Sequence, residues 1–282
     1  MAIAFVAAAP ASAAPSRSDG TGSTVIFVHG FDPDGAANTN CESYWRDAIS
    51  HFEAKGWNSR KLVTFGYYSE GDTCTHKYNG TRATSITTVA KALANRIYTS
   101  YTSQGKKVDV VAHSMGGLVI RSALYHVNKG TSGFPSRLYV EDVVTLGTPH
   151  DGANKTQINL CKARFPIAHK QCSQMHPDST FLRSLPETPS RSQMGTDWTA
   201  MSSADDGTVG VGSGVGIRAN HKTQYNGSGL YEISHSGLKE VTGSNAYRAR
   251  YYHKSTGSWS AWGDRPGPIN KAYVAAYAHR NQ

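Results

Sequence analysis

The sequence predicts an α/β fold, a mostly parallel central sheet with helices on both faces, and three observations predict it. Strand-like and helix-like segments alternate from residue 24 onward; several strand segments are apolar on both faces; and one strand segment, VDVVA, runs through His113-Ser114 and two glycines into a helical segment. Alternation of the two element types requires crossover connections, which make neighbouring strands parallel. Strands with apolar residues on both faces are covered on both sides. With 282 residues, 38% hydrophobic and 17% charged, the chain can bury one large core and lacks the charge density of a disordered protein.

The elements follow in order. TVIFV, Thr24 to Val28, is the first buried strand, and Ser43 can cap a helix that carries Trp45, Ile49 and Phe52 on one face and stops at Gly56. RKLVTFGYY is a second strand. Ile86, Val89, Leu93, Ile97 and Tyr101 recur every three or four residues, the mark of an amphipathic helix, here closed by Gly105. KVDVVA is a strand, MGGLVIRSALYHV a helix and LYVEDVVTL a strand. Later come strands over Trp198 to Ser202 and Leu230 to Ile233 and a last helix over Ile269 to Arg280. GVGSGVG, Gly210 to Gly216, reads as a flexible loop, because no glycine falls at the last position of a dinucleotide fingerprint. Trp259 and Trp262 read as packing residues.

Residues 153–195 break the strand rhythm. They mix Phe165, Ile167, Met175, Phe181, Leu182 and Leu185 with many polar residues, and so suit either a cap or lid over an apolar pocket or a pinned surface loop that packs its own apolar side chains. Residues 14–282, this segment included, read as one domain.

The amino terminus, MAIAFVAAAPASAAPS, is short, apolar and alanine-rich, and it holds a small-x-small site at Ala11-Ser12-Ala13. Residues 1–13 therefore read as a signal peptide, and the absence of Lys or Arg before Arg17 suits a truncated one. The run is too short to span a bilayer. Cys41, Cys74, Cys161 and Cys172 agree with export, since an even count in a secreted chain points to disulfides. Sequence-local pairs, Cys41 with Cys74 and Cys161 with Cys172, pin two loops without crossing the core. None forms the close pair that zinc sites use, and no metal or cofactor is expected. The net charge of +9 favours anionic surfaces, but Lys and Arg are scattered and no nucleic-acid motif is present. A secreted, extracellular monomer with no transmembrane segment is the expectation.

A serine at the carboxyl end of a central parallel strand, forced through a tight turn into a helix, projects its hydroxyl above the sheet edge, where ligands of such sheets bind. The turn needs small residues two before and two after the serine. Around Ser114 these are Ala112 and Gly116, an A-x-S-x-G variant of the usual G-x-S-x-G, while Gly117 permits close helix-to-sheet contact.

A serine hydroxyl is a poor nucleophile at neutral pH, so the site needs a base, an acid to orient it and donors for an oxyanion. Behind such an elbow the acid precedes the histidine in the chain. Asp206 opens D-G-T-V at the end of a strand and is the favoured acid, with Asp205 as the alternative; Asp142 lies within a strand and Asp151 follows an earlier one. His235, between two serines after a strand, is the base, because His221, His253 and His279 lack that context and His150 precedes both acids. Oxyanion donors are the N–H of Met115 and the N–H of Phe31, which Gly30 brings toward the site. His29 supports that loop, and His113 points away from the nucleophile.

VIFVHGF, VDVVAHSMGG, VVTLGTPHDG, QMHPDSTFLRSL, SSADDGTV and ISHSGL, spread from about residue 24 to 240, together resemble secreted bacterial lipases of the α/β-hydrolase fold, the class 2 lipases. The resemblance implies carboxylic ester hydrolysis by Ser114, an aspartate of SSADD and His235, on an ester or lipid substrate at a lipid–water interface. Smaller relatives suggest Asp205 and larger ones Asp206. Polyester, phospholipid or acyl-transfer chemistry on the same site is an alternative, as is a non-catalytic binding protein with SWSAWG as an adhesive surface.

Overall fold

A computed structural model describes residues 13–32, 40–69, 73–164, 169–227, 231–244 and 246–278. The expected signal peptide, apart from Ala13, lies outside them, as do Phe165, Ile167, Leu230 and Arg280. One ten-stranded sheet organises the chain. Its strands are β1 (Thr24–Val28), β2 (Leu62–Gly66), β3 (His76–Lys77), β4 (Val108–His113), β5 (Val140–Leu146), β6 (Asp197–Ser203), β7 (His221–Tyr225), β8 (Tyr247–His253), β9 (Ser258–Trp259) and β10 (Gly263–Arg265). The spatial order is β10-β8-β7-β6-β5-β4-β1-β2-β3, with β9 also on β8. Strands β1 to β7 are mutually parallel, and β8, β9 and β10 pair antiparallel.

Successive residues of the central strands enter opposite cores. Ile26, Val28, Val110 and Ala112 pack with α2 (Ile86–Ser100) and α3 (Met115–Asn128), whereas Val25, Phe27, Val111 and Val144 pack with α1 (Cys41–Ala54) and the carboxyl-terminal helix. That two-sided burial is why these strands carry apolar residues on both faces.

Several boundaries differ from the sequence reading. Asn40, not Ser43, caps α1: its side chain accepts from the N–H of Ser43, which is already inside the helix. Helix α2 ends at Ser100, and Gly105, at φ +70°, closes a separate 3-10 turn over Thr102–Gln104. β5 starts at Val140, two residues later than read. No strand covers residues 231–233. The strand before His235 is β7, and the chain from 231 to 234 is irregular, held by the Asp205 carboxylate, which accepts from the N–H of Ile233 at 3.3 Å. The GVGSGVG stretch is not a loop throughout, since Val211–Gly214 forms a one-turn helix beside β6.

Three helices, α4 (Lys155–Arg164), α5 (His169–Gln174) and α6 (Thr180–Ser184), occupy residues 153–195, and α7 is the Val211–Gly214 turn. Both disulfides, Cys41–Cys74 and Cys161–Cys172, are formed. The chain after His235 supplies β8 to β10 and α8 (Pro268–Tyr277), whose Ile269, Ala272 and Ala275 are buried against the sheet. Trp259 and Trp262 flank the Arg250 guanidinium at 4.8 and 4.7 Å.

Chain order now locates the site. From β1 the chain steps outward through β2 and β3, then returns to the other side of β1 as β4. The strand order reverses between β1 and β4, and loops leaving the carboxyl ends of strands diverge at such a reversal and leave a crevice. Gly30 and Phe31 leave β1 there, and Ser114 leaves β4.

Candidate active site

Ser114 has φ 53° and ψ −130°, and among the described residues it alone combines a side chain with positive φ. Strain of that kind costs about 1 to 3 kcal/mol and persists only where the surroundings enforce it. Here they do. Its N–H donates to the carbonyl of Leu146 at 2.8 Å, and helix α3 starts at the next residue. The helix can start so close to β1 because residue 116 is glycine: a Cβ there would lie 2.4 Å from the Val28 carbonyl oxygen and 2.5 Å from that of His29.

His235 comes from the loop beyond β7 and meets the serine across the crevice. Its Nε2 is 2.9 Å from Ser114 Oγ, and its Nδ1 is 2.7 Å from Asp206 Oδ2. The three side chains come from three loops at the same sheet end. Asp206 is held from behind, as its Oδ1 accepts from the N–H groups of Thr208 and Val209 at 2.8 and 2.9 Å. Its side chain is 1% exposed, that of His235 19%. The neighbouring Asp205 turns the other way, and its carboxylate accepts from Gly227 N–H at 3.0 Å and from Ile233 N–H, bracing the loop that carries His235.

Phe31 lines the crevice, and Met115 opens α3 directly after the serine, its N–H among the first-turn groups that have no partner within a helix. Gly30 lies against the nucleophile; a Cβ on it would be 2.8 Å from Ser114 Cβ. His29 does support this loop: Nδ1 lies 2.7 Å from the Gly30 carbonyl and Nε2 accepts from the N–H of Tyr67 at 3.3 Å, on a ring stacked on Tyr67. Burial lowers its pKa to about 4, so it is neutral at pH 7. His113 makes no hydrogen bond to Ser114 and turns toward Tyr44, but it also packs on His235, ring centroids 4.7 Å apart.

Two contributors were not read from the sequence. Gly147, at φ +56°, lies under the acid–base pair, where a Cβ would stand 3.1 Å from Asp206 Oδ2 and 3.2 Å from His235 Nδ1. A glycine directly after a strand, in LGTPHDG, was the available signal. Tyr44 reaches the site from α1, and nothing local in CESYW marks it.

Beside Ser114 and His235 is a cavity of about 510 Å³, lined also by Ile158, Leu160, Met175, Phe31 and Val209. Its lining combines apolar side chains with a few polar ones, the usual composition of a small-molecule site. Ile158, Leu160 and Met175 come from residues 153–195. Helix α5 is fixed to the body, where Gln171 accepts from Tyr68 at 2.8 Å and Gln174 accepts from Ile86 N–H at 2.8 Å. Helix α4 carries Leu160 at 57% exposure on the cavity rim and is joined to α5 through Cys161–Cys172. The segment thus contacts the body through α5 and lines the cavity through α4.

Asp109, Glu141 and Asp142 form the metal-like carboxylate cluster found among the described residues, and all three are buried. They sit at the amino ends of β4 and β5, about 17 Å of strand from Ser114. Their charge is met by Lys107 on Glu141 at 2.5 Å, Arg17 on Asp142 at 3.1 Å and the hydroxyl of Ser23 on Asp109. Burial raises Asp109 and Asp142 above the usual carboxylate range.

A family model described as Lipase (class 2) matches residues 22–244. The chain belongs to the class 2 lipases. No curated protein matches it. Among solved structures, a Bacillus licheniformis lipase in its propeptide form is similar over 81% of this chain and 49% of its own, at 18% identity and a TM-score of 0.50. Aspergillus fumigatus lipase B is similar over 94% of this chain and 59% of its own, at 16% identity and a TM-score of 0.50. The class 2 lipase chain thus spans about half to three fifths of those proteins, and at these identities the likeness shows the fold, that of the α/β-hydrolases. Among the described residues no helix is long and apolar enough to cross a membrane.

Proposed function

We propose that this class 2 lipase hydrolyses carboxylic esters through an acyl-enzyme, with Ser114 as nucleophile, His235 as base and Asp206 as acid. The observation that carries the reading is the continuous line from Ser114 Oγ to His235 Nε2 at 2.9 Å and from His235 Nδ1 to Asp206 Oδ2 at 2.7 Å. Nucleophile, base and orienter within bonding reach are the signature of nucleophilic acyl transfer.

His235 Nε2 takes the Ser114 proton as Oγ bonds to the ester carbonyl carbon. The carbonyl oxygen becomes an oxyanion, held by the N–H groups of Met115 and Phe31. The intermediate collapses, the carbon–oxygen bond to the alcohol breaks, and His235 gives its proton to the departing oxygen. Water then attacks the acyl-enzyme, giving one proton to His235; the acid leaves and the proton returns to Ser114. Asp206 keeps Nδ1 as the donor side of the ring and stabilises the imidazolium. The apolar walls formed by Ile158, Leu160 and Met175 suit an acyl chain, with Leu160 at the mouth toward a lipid surface.

Residues 14–282 act as one exported domain in this reading, with residues 1–13 as leader. Two disulfides support it, because such bonds persist in oxidising compartments. Hydrolysis of p-nitrophenyl esters by Ser114→Ala tests the reading: activity should fall roughly 10⁴- to 10⁶-fold. Wild-type hydrolysis by that variant would end it.

A further inference from the structure

Three hydrogen bonds run in line behind the nucleophile. The N–H of Gly30 donates to the Tyr44 hydroxyl oxygen at 3.0 Å, the Tyr44 hydroxyl lies 2.6 Å from His113 Nδ1, and His113 Nε2 lies 2.9 Å from the carbonyl oxygen of His235. Their directions are forced. A carbonyl only accepts, so Nε2 carries the His113 proton; the Nδ1 of a neutral imidazole protonated there only accepts, so Tyr44 donates to it. The phenol oxygen then receives the Gly30 N–H. Burial, and after it the neighbouring His235, hold His113 well below its ordinary pKa and keep that ring neutral.

The line starts on the residue before Phe31, the second oxyanion donor of the proposed mechanism, and ends on the backbone of the base. A second tie runs beside it. Lys239, which closes the 3-10 turn just after His235, sets its ammonium 4.5 Å over the Tyr44 ring. Tyr44 itself sits in the first turn of α1, whose opening residue, Cys41, is bonded to Cys74. The tyrosine therefore has a fixed base from which to hold two separate loops.

We propose that Tyr44 and His113 are positioning residues that lock the oxyanion loop after β1 to the loop carrying His235, so that donor and base face Ser114 together before substrate arrives. The inference rests on the triad reading above. Both line the cavity and the His113 ring packs on His235, but their hydrogen bonds go to each other and to loop backbone, not to Ser114 Oγ or the His235 imidazole. Oxyanion and imidazolium charge develop only in the transition state, so a loosened lock is felt in kcat, while apolar contacts that set KM are left in place.

The experiment compares Tyr44→Phe, His113→Asn, the double variant and Ser114→Ala on p-nitrophenyl butyrate, with kcat and KM resolved and thermal melting recorded. Tyr44→Phe keeps the ring beneath Lys239 and removes only the hydroxyl. It should lower kcat about 10- to 100-fold with KM changed by less than about twofold. The double variant should be no worse than the weaker single variant, because a line broken once is already broken. Wild-type kcat in Tyr44→Phe, a loss confined to KM, or a double variant whose loss is the product of the single losses would overturn the proposal. Should His113→Asn fail to fold, the kcat and KM of Tyr44→Phe decide alone. With Ser114→Ala inactive in the same assay, any of those results rejects the lock and leaves the triad; an active Ser114→Ala overturns both.

Discussion

His235 Nδ1 lies 2.7 Å from Asp206 Oδ2, while the carboxylate of the adjacent Asp205 accepts backbone N–H groups from Gly227 and Ile233. Two neighbouring acids therefore divide the work, one orienting the imidazole and the other shaping the loop that carries it. Asp206→Asn should lower kcat by roughly 10⁴-fold with little change in stability, as an amide favours the wrong tautomer. Asp205→Ala should instead lose about 1 to 2 kcal/mol of stability and retain most of its activity. Steady-state kinetics paired with urea unfolding separates them, and the reverse pattern would transfer the acid role to Asp205.

Gly147→Ala places a methyl group against the acid–base pair and forces a side chain onto φ +56°. Its strain cost is about 1 kcal/mol, but displacement of His235 or Asp206 should cost about 10- to 100-fold in kcat. Kinetics of the folded variant checks this. An unchanged kcat would mean that the acid–base pair tolerates this displacement.

Acid sensitivity has a definite sign at His29. Its pKa is about 4 in the folded chain against an ordinary 6.5, so between those values the unfolded chain binds more protons. Its contribution to stability is thus present in full above about pH 6.5 and is lost as pH falls toward 4, by about 3 kcal/mol. His113, lowered in the same direction, adds to the loss, whereas Asp109 and Asp142, raised by burial, oppose it. Urea unfolding of wild type and His29→Gln at pH 4.5 and 7.5 isolates the term. The wild type should lose more stability between the two pH values, and parallel losses would refute it.

The disulfides should differ in effect. Cys41–Cys74 closes 33 residues and Cys161–Cys172 closes 11, which the loop-entropy account converts to about 4 and about 3 kcal/mol. Function should divide differently, since Cys161 lines the cavity and Cys41 opens the helix that carries Tyr44. Replacing the second pair by serine should alter acyl-length preference, and replacing the first should lower kcat. Kinetics on esters of graded acyl length reads both.

How much of this was legible depended on whether a role was local. The elbow was, because strand, small residues, Ser114 and helix are contiguous, and the two-sided strands announced the parallel sheet. His235 was reached through chain order even though residues 231–233 are not the strand they resemble. Asp205 and Asp206 could not be ranked firmly, as adjacent turn residues differ only in which amides they accept. Tyr44 and Gly147 act by approach in space, and their sequence neighbours carry no trace of it. The last three strands were missed because, at the sheet edge, β8 is half exposed and packs Arg250 and Tyr252 with tryptophan rather than alternating apolar residues.

The central claim is that one serine hydroxyl, held on a strained corner, is acylated with help from His235. Labelling with a p-nitrophenyl alkylphosphonate, followed by peptide mass mapping, tests it most directly. One phosphonyl group per chain, on Ser114, with parallel loss of esterase activity and no labelling of His235→Ala on the same timescale, is the predicted result. Esterase activity that survives full modification of Ser114, or inactivation with the label on another residue, would contradict it.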